Sequence, residues 1–217
     1  MPQRLLRIDD LVRGQHTYLE EEDVCYYLRE YTAHTGYSHS ETNNLISNFK
    51  KKMDKRGSAQ WRYKGQAIDR VAADFRACLP RELLEEWTLV PIPPSKAKTD
   101  PLYDDRMSQV LAKMSMGYDV DIRELVTLDE SMEASHTTTN RLPPNELKEH
   151  LSIDEEHSDP EPNVIILFDD VLTTGSHFKA CKALLEERFP NAEIAGMFVA
   201  RRAIPDAADD FDDIDDI

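Results

Sequence analysis

The sequence is poor in features that mark several classes of protein. It has only 3 cysteines among 217 residues. Cys25, Cys78 and Cys181 are too scattered for the C-x-x-C spacing of a zinc site or a redox pair. Its apolar runs reach about five residues, far short of a transmembrane helix, and the N-terminus lacks the apolar core of a signal peptide. We therefore expect inert thiols and a soluble, cytoplasmic protein that does not enter a membrane.

Basic residues are scarce relative to acidic ones. The chain has 26 Lys and Arg against 42 Asp and Glu, a formal net charge of −16. Because proteins bind the phosphate backbone through a basic face, this excess argues against nucleic acid as a partner, although it does not exclude a local basic patch. Seven aspartates lie in residues 206–217. This stretch is predicted to be a disordered acidic tail, or else a short linear motif for a partner's basic groove.

Hydrophobic periodicity divides the remaining chain into two regions. Residues 1–86 are predicted to form a mainly helical hood, with a capping box at Ser38 and Glu41 that begins a helix reaching about Asp54. Residues 87–205 alternate between strand and helix patterns, which indicates an α/β core with a doubly wound, mainly parallel sheet. The predicted strands are 87–92, 122–128, 164–168 and 194–200, and the predicted helices are 66–79, 107–116 and 176–189. A long polar stretch, residues 129–163, shows little periodicity.

The stretch that carries chemistry is residues 164–176, VIILFDDVLTTGS. A buried strand delivers Asp169 and Asp170 to its carboxyl end, where open α/β sheets bind ligands. Residues 173–176 then lead into a helix, whose N-terminus exposes unpaired N–H groups. Such a pocket accepts a phosphate at the turn and hydroxyl groups at the carboxylates, as a 5-phosphorylated ribose offers them. An ordinary strand end followed by a helix cap is the alternative.

This stretch resembles the signature with which type I phosphoribosyltransferases bind phosphoribosyl pyrophosphate (PRPP). Residues 62–66 (RYKGQ) and 89–93 (LVPIP) resemble the ComF-like branch, so that the likeness covers about residues 60–202. It implies that Asp169 and Asp170 are catalytic, bind the ribose hydroxyls and contact Mg²⁺ through water. The residues that it assigns to the 5-phosphate are Leu172 (through its backbone), Thr173, Thr174, Gly175 and Ser176.

A cationic loop follows the first strand of the core. The resemblance implies that Ser95, Lys96, Lys98 and Arg106 bind pyrophosphate, which as a leaving anion needs cationic donors. Ordinary surface lysines are the alternative. Residues 103–106 (YDDR) depart from the Arg-Gly-Phe-Asn-Gln element of ComF-like proteins, and the cysteines of their zinc module are missing. The acceptor substrate therefore cannot be inferred from the resemblance.

Other polar residues are candidates for substrate contacts. Residues 131–150 occupy the place of the family's mobile catalytic loop, in which residues 137–141, with Arg141 as the catalytic candidate, would contact the transition state. His136 lies at the edge of this group. Arg201 and Arg202 could hold a base or a phosphate, or pair with the acidic tail. Trp61 and Tyr63 could stack on an acceptor base, or pack in the core.

The leading hypothesis is a phosphoribosyltransferase enzyme. It would use PRPP and Mg²⁺ to transfer phosphoribosyl to a nitrogen nucleophile such as a nucleobase, with release of pyrophosphate, and it could form a homodimer. The alternative is a non-catalytic regulator that senses PRPP or a nucleotide, which the altered residues 103–106 and the acidic tail favour. A further alternative is an effector subunit of a larger assembly, docking through residues 1–86 and the tail.

Overall fold

The computed structural model describes residues 4–132 and 142–204. These residues form two β-sheets and a set of helices. The strands are β1 (Leu6–Arg7), β2 (Cys25–Thr32), β3 (Thr88–Pro91), β4 (Asp121–Ile122), β5 (Val126–Leu128), β6 (Leu151–Ile153), β7 (Val164–Leu172) and β8 (Glu193–Ala203). The helices are α1 (Asp10–Arg13), α2 (Glu41–Phe49), α3 (Arg62–Cys78), α4 (Arg81–Glu86), α5 (Arg106–Met114), α6 (Pro144–Lys148) and α7 (Ser176–Arg188), with 3₁₀ turns at Met53–Lys55 and Glu155–His157.

The main sheet has six strands in the order β1-β2-β8-β7-β3-β4. Neighbouring strands from β2 to β4 run parallel, and β1 alone pairs antiparallel, with β2. The second sheet pairs β5 with β6. The α/β class and the mainly parallel sheet are confirmed. The carboxyl ends of β2, β8 and β7 lie at one edge, because Thr32 pairs with Ala203 and Leu172 with Arg201.

Both faces of the main sheet are buried, which explains the continuous apolar run of β7. Ile166 and Phe168 face a core that includes residues of α2, α3 and α5. Ile165 and Leu167 face the opposite core, built with α6, α7 and the small sheet. The Phe75 ring of α3 meets Phe168 edge to face, with 5.2 Å between ring centroids. Successive residues of β7 therefore serve different cores, as the alternation of a strand requires.

Strand β2 is the main difference from the prediction for residues 1–86. That region was predicted to be mainly helical, whereas Cys25–Thr32 forms a strand between β1 and β8. The charges of Arg29 and Glu30 obscure its strand pattern. Arg29 is buried, and its guanidinium lies 2.5 Å from Asp74 of α3. Because this partner is distant in sequence, local periodicity could not indicate that Arg29 lies inside the fold.

The predicted bounds of one helix and of one strand also differ from those in the structure. Helix α2 begins after Ser40, whose hydroxyl accepts the N–H of Asn43 at 3.0 Å, and it ends at Phe49; the predicted capping box at Ser38 and the end near residue 54 were wrong. The predicted strand 122–128 is divided between β4 and β5, which belong to different sheets. The polar stretch after residue 129 contains α6 and β6.

None of the described helices combines the length and the apolar composition that crossing a bilayer requires. The predictions for His136, for residues 137–141 including Arg141, and for the tail 206–217 fall outside the described residues.

Candidate functional site

The acidic pair lies near the carboxyl end of β7, two residues before its last residue, Leu172. Asp169 and Asp170 point to opposite faces of the main sheet, because successive side chains in a strand alternate. Asp170 is only 4% exposed. Its Oδ1 accepts a hydrogen bond from Lys50 Nζ at 2.8 Å, and its Oδ2 accepts Arg106 Nε at 3.1 Å and a second nitrogen of the same guanidinium. Both carboxylate oxygens of Asp170 are thus bonded to cations within the protein.

The pKa values of the two carboxyl groups are shifted in opposite directions. Burial, together with the charge of Asp170, raises the pKa of Asp169 to about 7. Burial would also raise the pKa of Asp170, but Lys50 and Arg106 outweigh it and hold that pKa well below its ordinary value. Asp170 is therefore ionised at neutral pH, while Asp169 is divided between its neutral and its ionised form.

Arg106 connects the acidic pair to a second buried ion pair. A guanidinium nitrogen of Arg106 lies 2.5 Å from Asp104 Oδ2, and Lys64 Nζ lies 2.8 Å from the same oxygen. Lys64 is 2% exposed, and burial lowers its pKa. The cluster joins three cations, Lys50, Lys64 and Arg106, to the carboxylates of Asp104 and Asp170. Ionisation of Asp169 nearby would bring the positive and negative charges into balance.

No role was predicted for Lys50, Lys64 or Asp104 from the sequence. One indication was available for Lys64, since it shares helical spacing with Ile68, Val71 and Phe75 on the buried face of α3. A lysine on an apolar face needs a buried partner. Lys50 gave no comparable indication, because it follows the last residue of α2 within a run of three exposed or half-exposed lysines.

A cleft of about 480 Å³ opens beside Asp169. Lys96, Lys98 and Arg106 line it together with Asp169, and β5 forms another part of the wall. These three cations are among the residues predicted to bind pyrophosphate. Both lysines have carboxylate partners here: Lys98 Nζ lies 2.7 Å from Glu124, and Lys96 Nζ lies 3.8 Å from Asp100. The fourth predicted residue, Ser95, lines a separate cleft of about 240 Å³ with His177 and Cys181.

The turn after β7 is backed by the N-terminal segment. Gly175 has a φ of +86°, and a Cβ placed there would lie 3.0 Å from Leu19 Cδ2, so both conformation and space favour glycine. The N–H of Tyr18 donates to the Thr174 carbonyl at 2.9 Å. His16 Nδ1 lies 2.5 Å from the Thr173 carbonyl oxygen. The carbonyl groups of Thr173 and Thr174 are therefore engaged by residues 16–18.

The turn residues do not line the same cleft as Asp169. Leu172 is buried, Thr173 and Thr174 are partly buried, and Gly175 is buried. Ser176 is also buried; its hydroxyl donates to the Leu142 carbonyl at 2.5 Å. The structure thus brings Asp169 together with Lys96, Lys98 and Arg106, whereas the predicted phosphate turn lies three residues beyond Asp170 at the same sheet edge.

Three further residues that were predicted as possible substrate contacts, Arg201, Trp61 and Tyr63, differ in their burial. Arg201 is 6% exposed, and its terminal nitrogens bond Gln15 and Glu30, whereas the predicted pairing with the tail involves residues outside the described part of the chain. Tyr63 is 39% exposed and Trp61 is partly buried. Core packing, the alternative for these aromatic residues, is therefore wrong for Tyr63.

The predicted Mg²⁺ contacts fit the two aspartates unequally. Hard divalent cations take oxygen ligands. Asp169 offers a carboxylate at the cleft and fits a contact through water. Asp170 does not fit as it stands, because Lys50 and Arg106 occupy both of its oxygens. Within residues 4–132 and 142–204, no group of three or more His, Cys, Asp or Glu side chains is arranged to hold a metal ion.

Comparison with known proteins adds no family to this description. No protein-family model matches the sequence, and no curated protein matches it at a significant level. Function must therefore be inferred from the acidic pair, the cleft and the turn.

Proposed function

We propose that the protein binds PRPP at the carboxyl edge of the main sheet and transfers its phosphoribosyl group to a nitrogen nucleophile, releasing pyrophosphate. The observation that carries the proposal is that Asp169 lines one cleft with Lys96, Lys98 and Arg106. A carboxylate that can accept sugar hydroxyls lies beside cations that can bind a diphosphate. A cytoplasmic location and a homodimer stay predictions from the sequence.

The proposed binding roles follow from exposure and existing partners. Lys96 and Lys98 would exchange their carboxylate partners for pyrophosphate oxygens, at small cost because both lysines are partly exposed. Asp169 would accept a ribose hydroxyl. The 5-phosphate would bind at the turn, through the Thr173 and Thr174 hydroxyls and the first amides of α7, where the helix dipole favours an anion.

The proposed reaction breaks the bond between ribose C1 and the pyrophosphate oxygen, and the electron pair leaves with pyrophosphate. The nitrogen lone pair forms the new bond to C1, and the proton of that nitrogen passes to solvent. Positive charge develops on the sugar, where ionised Asp169 would stabilise it, while Lys96 and Lys98 stabilise the leaving anion. Mg²⁺ supplies further positive charge to pyrophosphate when bound, and Asp169 is the residue that would hold its water.

The second candidate is a non-catalytic protein that senses PRPP. The engagement of both Asp170 oxygens by Lys50 and Arg106 favours it, because a carboxylate neutralised by two cations adds little to the stabilisation of positive charge on the sugar in a transition state. Lys50 is the exchangeable partner of the two, since its side chain is 45% exposed whereas that of Arg106 is 14% exposed.

Titration calorimetry with PRPP and Mg²⁺, followed by a pyrophosphate-release assay across a panel of nucleobases, tests the proposal. We expect binding, base-dependent release, and an affinity loss of about tenfold or more in Asp169→Asn, since one hydrogen bond to a charged group is lost. Lys113→Gln is the control, because Lys113 lies at the other end of α5 and pairs with Asp69. Binding without release would select the sensor, and no binding of PRPP would reject both candidates.

Two substitutions separate the role of Asp170 from the stability of its cluster. Asp170→Asn should reduce PRPP affinity and turnover sharply if the ribose displaces Lys50 from this carboxylate. Lys50→Gln should preserve or raise PRPP affinity, because it frees Asp170 Oδ1. Equal losses in the two variants would show that the cluster only maintains the fold.

A further inference from the structure

Four cations in one short segment have no acidic partner. Lys51, Lys52, Arg56 and Arg62 lie within ion-pair distance of no carboxylate in the described part of the chain. By contrast, Arg81, Lys113, Lys148 and Arg188 each pair with a carboxylate. Arg4 and Arg7, in another part of the chain, are exposed and also lie within ion-pair distance of no described carboxylate. In a chain with 42 acidic and 26 basic residues, cations left unpaired in one place leave a local positive charge.

Three of these cations lie beside two aromatic rings. Lys51 Nζ and the guanidinium carbon of Arg62 lie 5.5 and 4.9 Å from the centroid of the Tyr63 ring. The guanidinium carbon of Arg56 lies 5.8 Å from that of Trp61. Lys52, Arg56, Arg62 and Tyr63 are exposed. We call this group the basic–aromatic surface; its members are Lys51, Lys52, Arg56, Trp61, Arg62 and Tyr63.

The surface is continuous with the buried cluster of the candidate site. Lys50 and Lys64 flank it in sequence, and both side chains turn inward, to Asp170 and Asp104. A chain bound on the basic–aromatic surface would therefore lie next to the carboxyl end of β7.

We propose that the basic–aromatic surface binds single-stranded nucleic acid. Its cations can neutralise phosphates, and bases stack on exposed aromatic rings and on guanidinium planes. The net charge of −16 does not prevent this contact, because charges more than about 10 Å away are largely screened at about 0.1 M salt. The proposal goes beyond the transferase function and does not depend on it.

The acidic tail is the competing occupant. Residues 206–217 carry seven aspartates and are a candidate anion for the same cations. The tail has no bases to stack on Tyr63 and no phosphates, so we favour nucleic acid. The test therefore includes a synthetic peptide of residues 206–217 as a competitor.

Fluorescence anisotropy of a labelled single-stranded oligonucleotide of about 16 nucleotides, titrated with the full chain at about 50 mM salt, measures the interaction. If four phosphates are neutralised, the logarithm of the affinity should fall with the logarithm of salt concentration with a slope of about −3. Neutralising Lys51, Lys52, Arg56 and Arg62 together to Gln should lower affinity about tenfold or more and flatten this slope.

The matched control changes the same number of charges at paired positions, as Arg81→Gln, Lys113→Gln, Lys148→Gln and Arg188→Gln together. It should bind as the unmodified chain does. Tyr63→Leu, at an exposed position where folding is not at risk, should weaken binding several-fold by removing one stacking ring. Circular dichroism of each variant checks that the fold is intact.

Three results would overturn the proposal. The first is no binding by the unmodified chain at about 50 mM salt. The second is an equal loss of affinity in the surface variant and the control. The third is that heparin or the tail peptide binds more tightly than the oligonucleotide and that Tyr63→Leu has no effect on oligonucleotide binding. Tighter binding of heparin would indicate a surface for anions in general, and tighter binding of the peptide would indicate that the acidic tail is the occupant.

Discussion

Lys64 of α3 and Asp104, which precedes α5, form a buried ion pair with 2.8 Å between Nζ and Oδ2. The ammonium group also donates to the carbonyl oxygens of Phe49 and Lys51, at 2.9 and 3.1 Å. A single side chain thereby connects α3, the end of α2 and the loop before α5. Through Arg106, which bonds both Asp104 and Asp170, this pair also determines where the acidic end of β7 is held.

Removal of the Lys64 ammonium group should strongly destabilise the protein. In Lys64→Met, Asp104 loses a buried partner and two carbonyl groups lose a donor, so the free energy of unfolding should fall by about 3–5 kcal/mol. Urea denaturation measures this change. Lys113→Met, which breaks the exposed pair with Asp69, should cost less than about 1 kcal/mol. Similar losses in the two variants would show that the buried ion pair contributes no more to the free energy of unfolding than the exposed pair does.

The raised pKa of Asp169 makes stability depend on pH. The native state holds this proton more tightly than the unfolded chain does, so stability is lost as pH rises from about 4, the unfolded value, to about 7. Asp169→Asn removes this dependence. From about pH 5 to pH 8, the stability of the variant relative to the unmodified protein should therefore rise by about 2 kcal/mol.

Urea unfolding at the two pH values measures that difference. The lowered pKa of Asp170 acts in the opposite direction: its contribution is present above about pH 4 and is lost as pH falls below that value. Because Asp170 is present in both proteins, its direct contribution cancels between them. Asp119→Asn, at an exposed position, is the control. A pH-independent effect of Asp169→Asn would mean that Asp169 titrates like an exposed carboxylate.

Gly175 and Gly57 form a matched pair for testing the turn. Both have a positive φ, +86° and +87°, but a Cβ would meet Leu19 at 3.0 Å only at Gly175, whereas nothing lies within 4 Å at Gly57. Gly57→Ala should cost about 1 kcal/mol of unfolding free energy, from backbone strain alone. Gly175→Ala should cost about 1–3 kcal/mol more, because it also displaces Leu19. Thermal denaturation compares them, and equal costs would argue against close packing of residues 16–19 on the turn.

The three cysteines should differ in reactivity. Cys25 and Cys181 are 0% and 1% exposed, and burial raises the pKa of both thiols well above the ordinary value. Cys78 is partly exposed. Because the thiolate is the reactive form, a chromogenic disulfide reagent should modify at most Cys78 in the native protein, slowly, and all three thiols in urea. Fast modification of two or three native thiols would contradict the described packing.

The hydrophobic pattern of the sequence predicted those elements whose buried residues follow the spacing of a strand or a helix. The runs that became β7, α7 and β8 each present apolar residues at one spacing, so their positions were confirmed within a few residues, although β7 continues beyond Phe168 to Leu172. Strand β2 could not be predicted in the same way. Its Arg29 is neutralised by Asp74, and Glu30 bonds Arg201 from a neighbouring strand. These pairings form only once the sheet has assembled.

The sequence predicted those parts of the candidate site that lie at or just after a predicted strand. Asp169 and Asp170 lie near the carboxyl end of a buried strand, and Lys96, Lys98 and Arg106 follow another parallel strand of the same sheet. What could not be predicted is that Arg106 bonds Asp170 itself and that Lys50 occupies the other oxygen. Those contacts depend on how α2 and α5 pack over the sheet, which the spacing of residues does not encode.

The position of β2 between β1 and β8 bears on how this polypeptide can be shortened. A fragment beginning at residue 87 would leave β8 without β2 along residues 196–203 and convert it into an exposed, apolar edge strand beside β7. It would also remove Lys50 and Lys64, so that Arg106 alone of the three cations in the cluster would face the buried carboxylates of Asp104 and Asp170. The predicted core, residues 87–205, is therefore not an excisable module, and recombinant work on the acidic pair requires residues 1–86 as well.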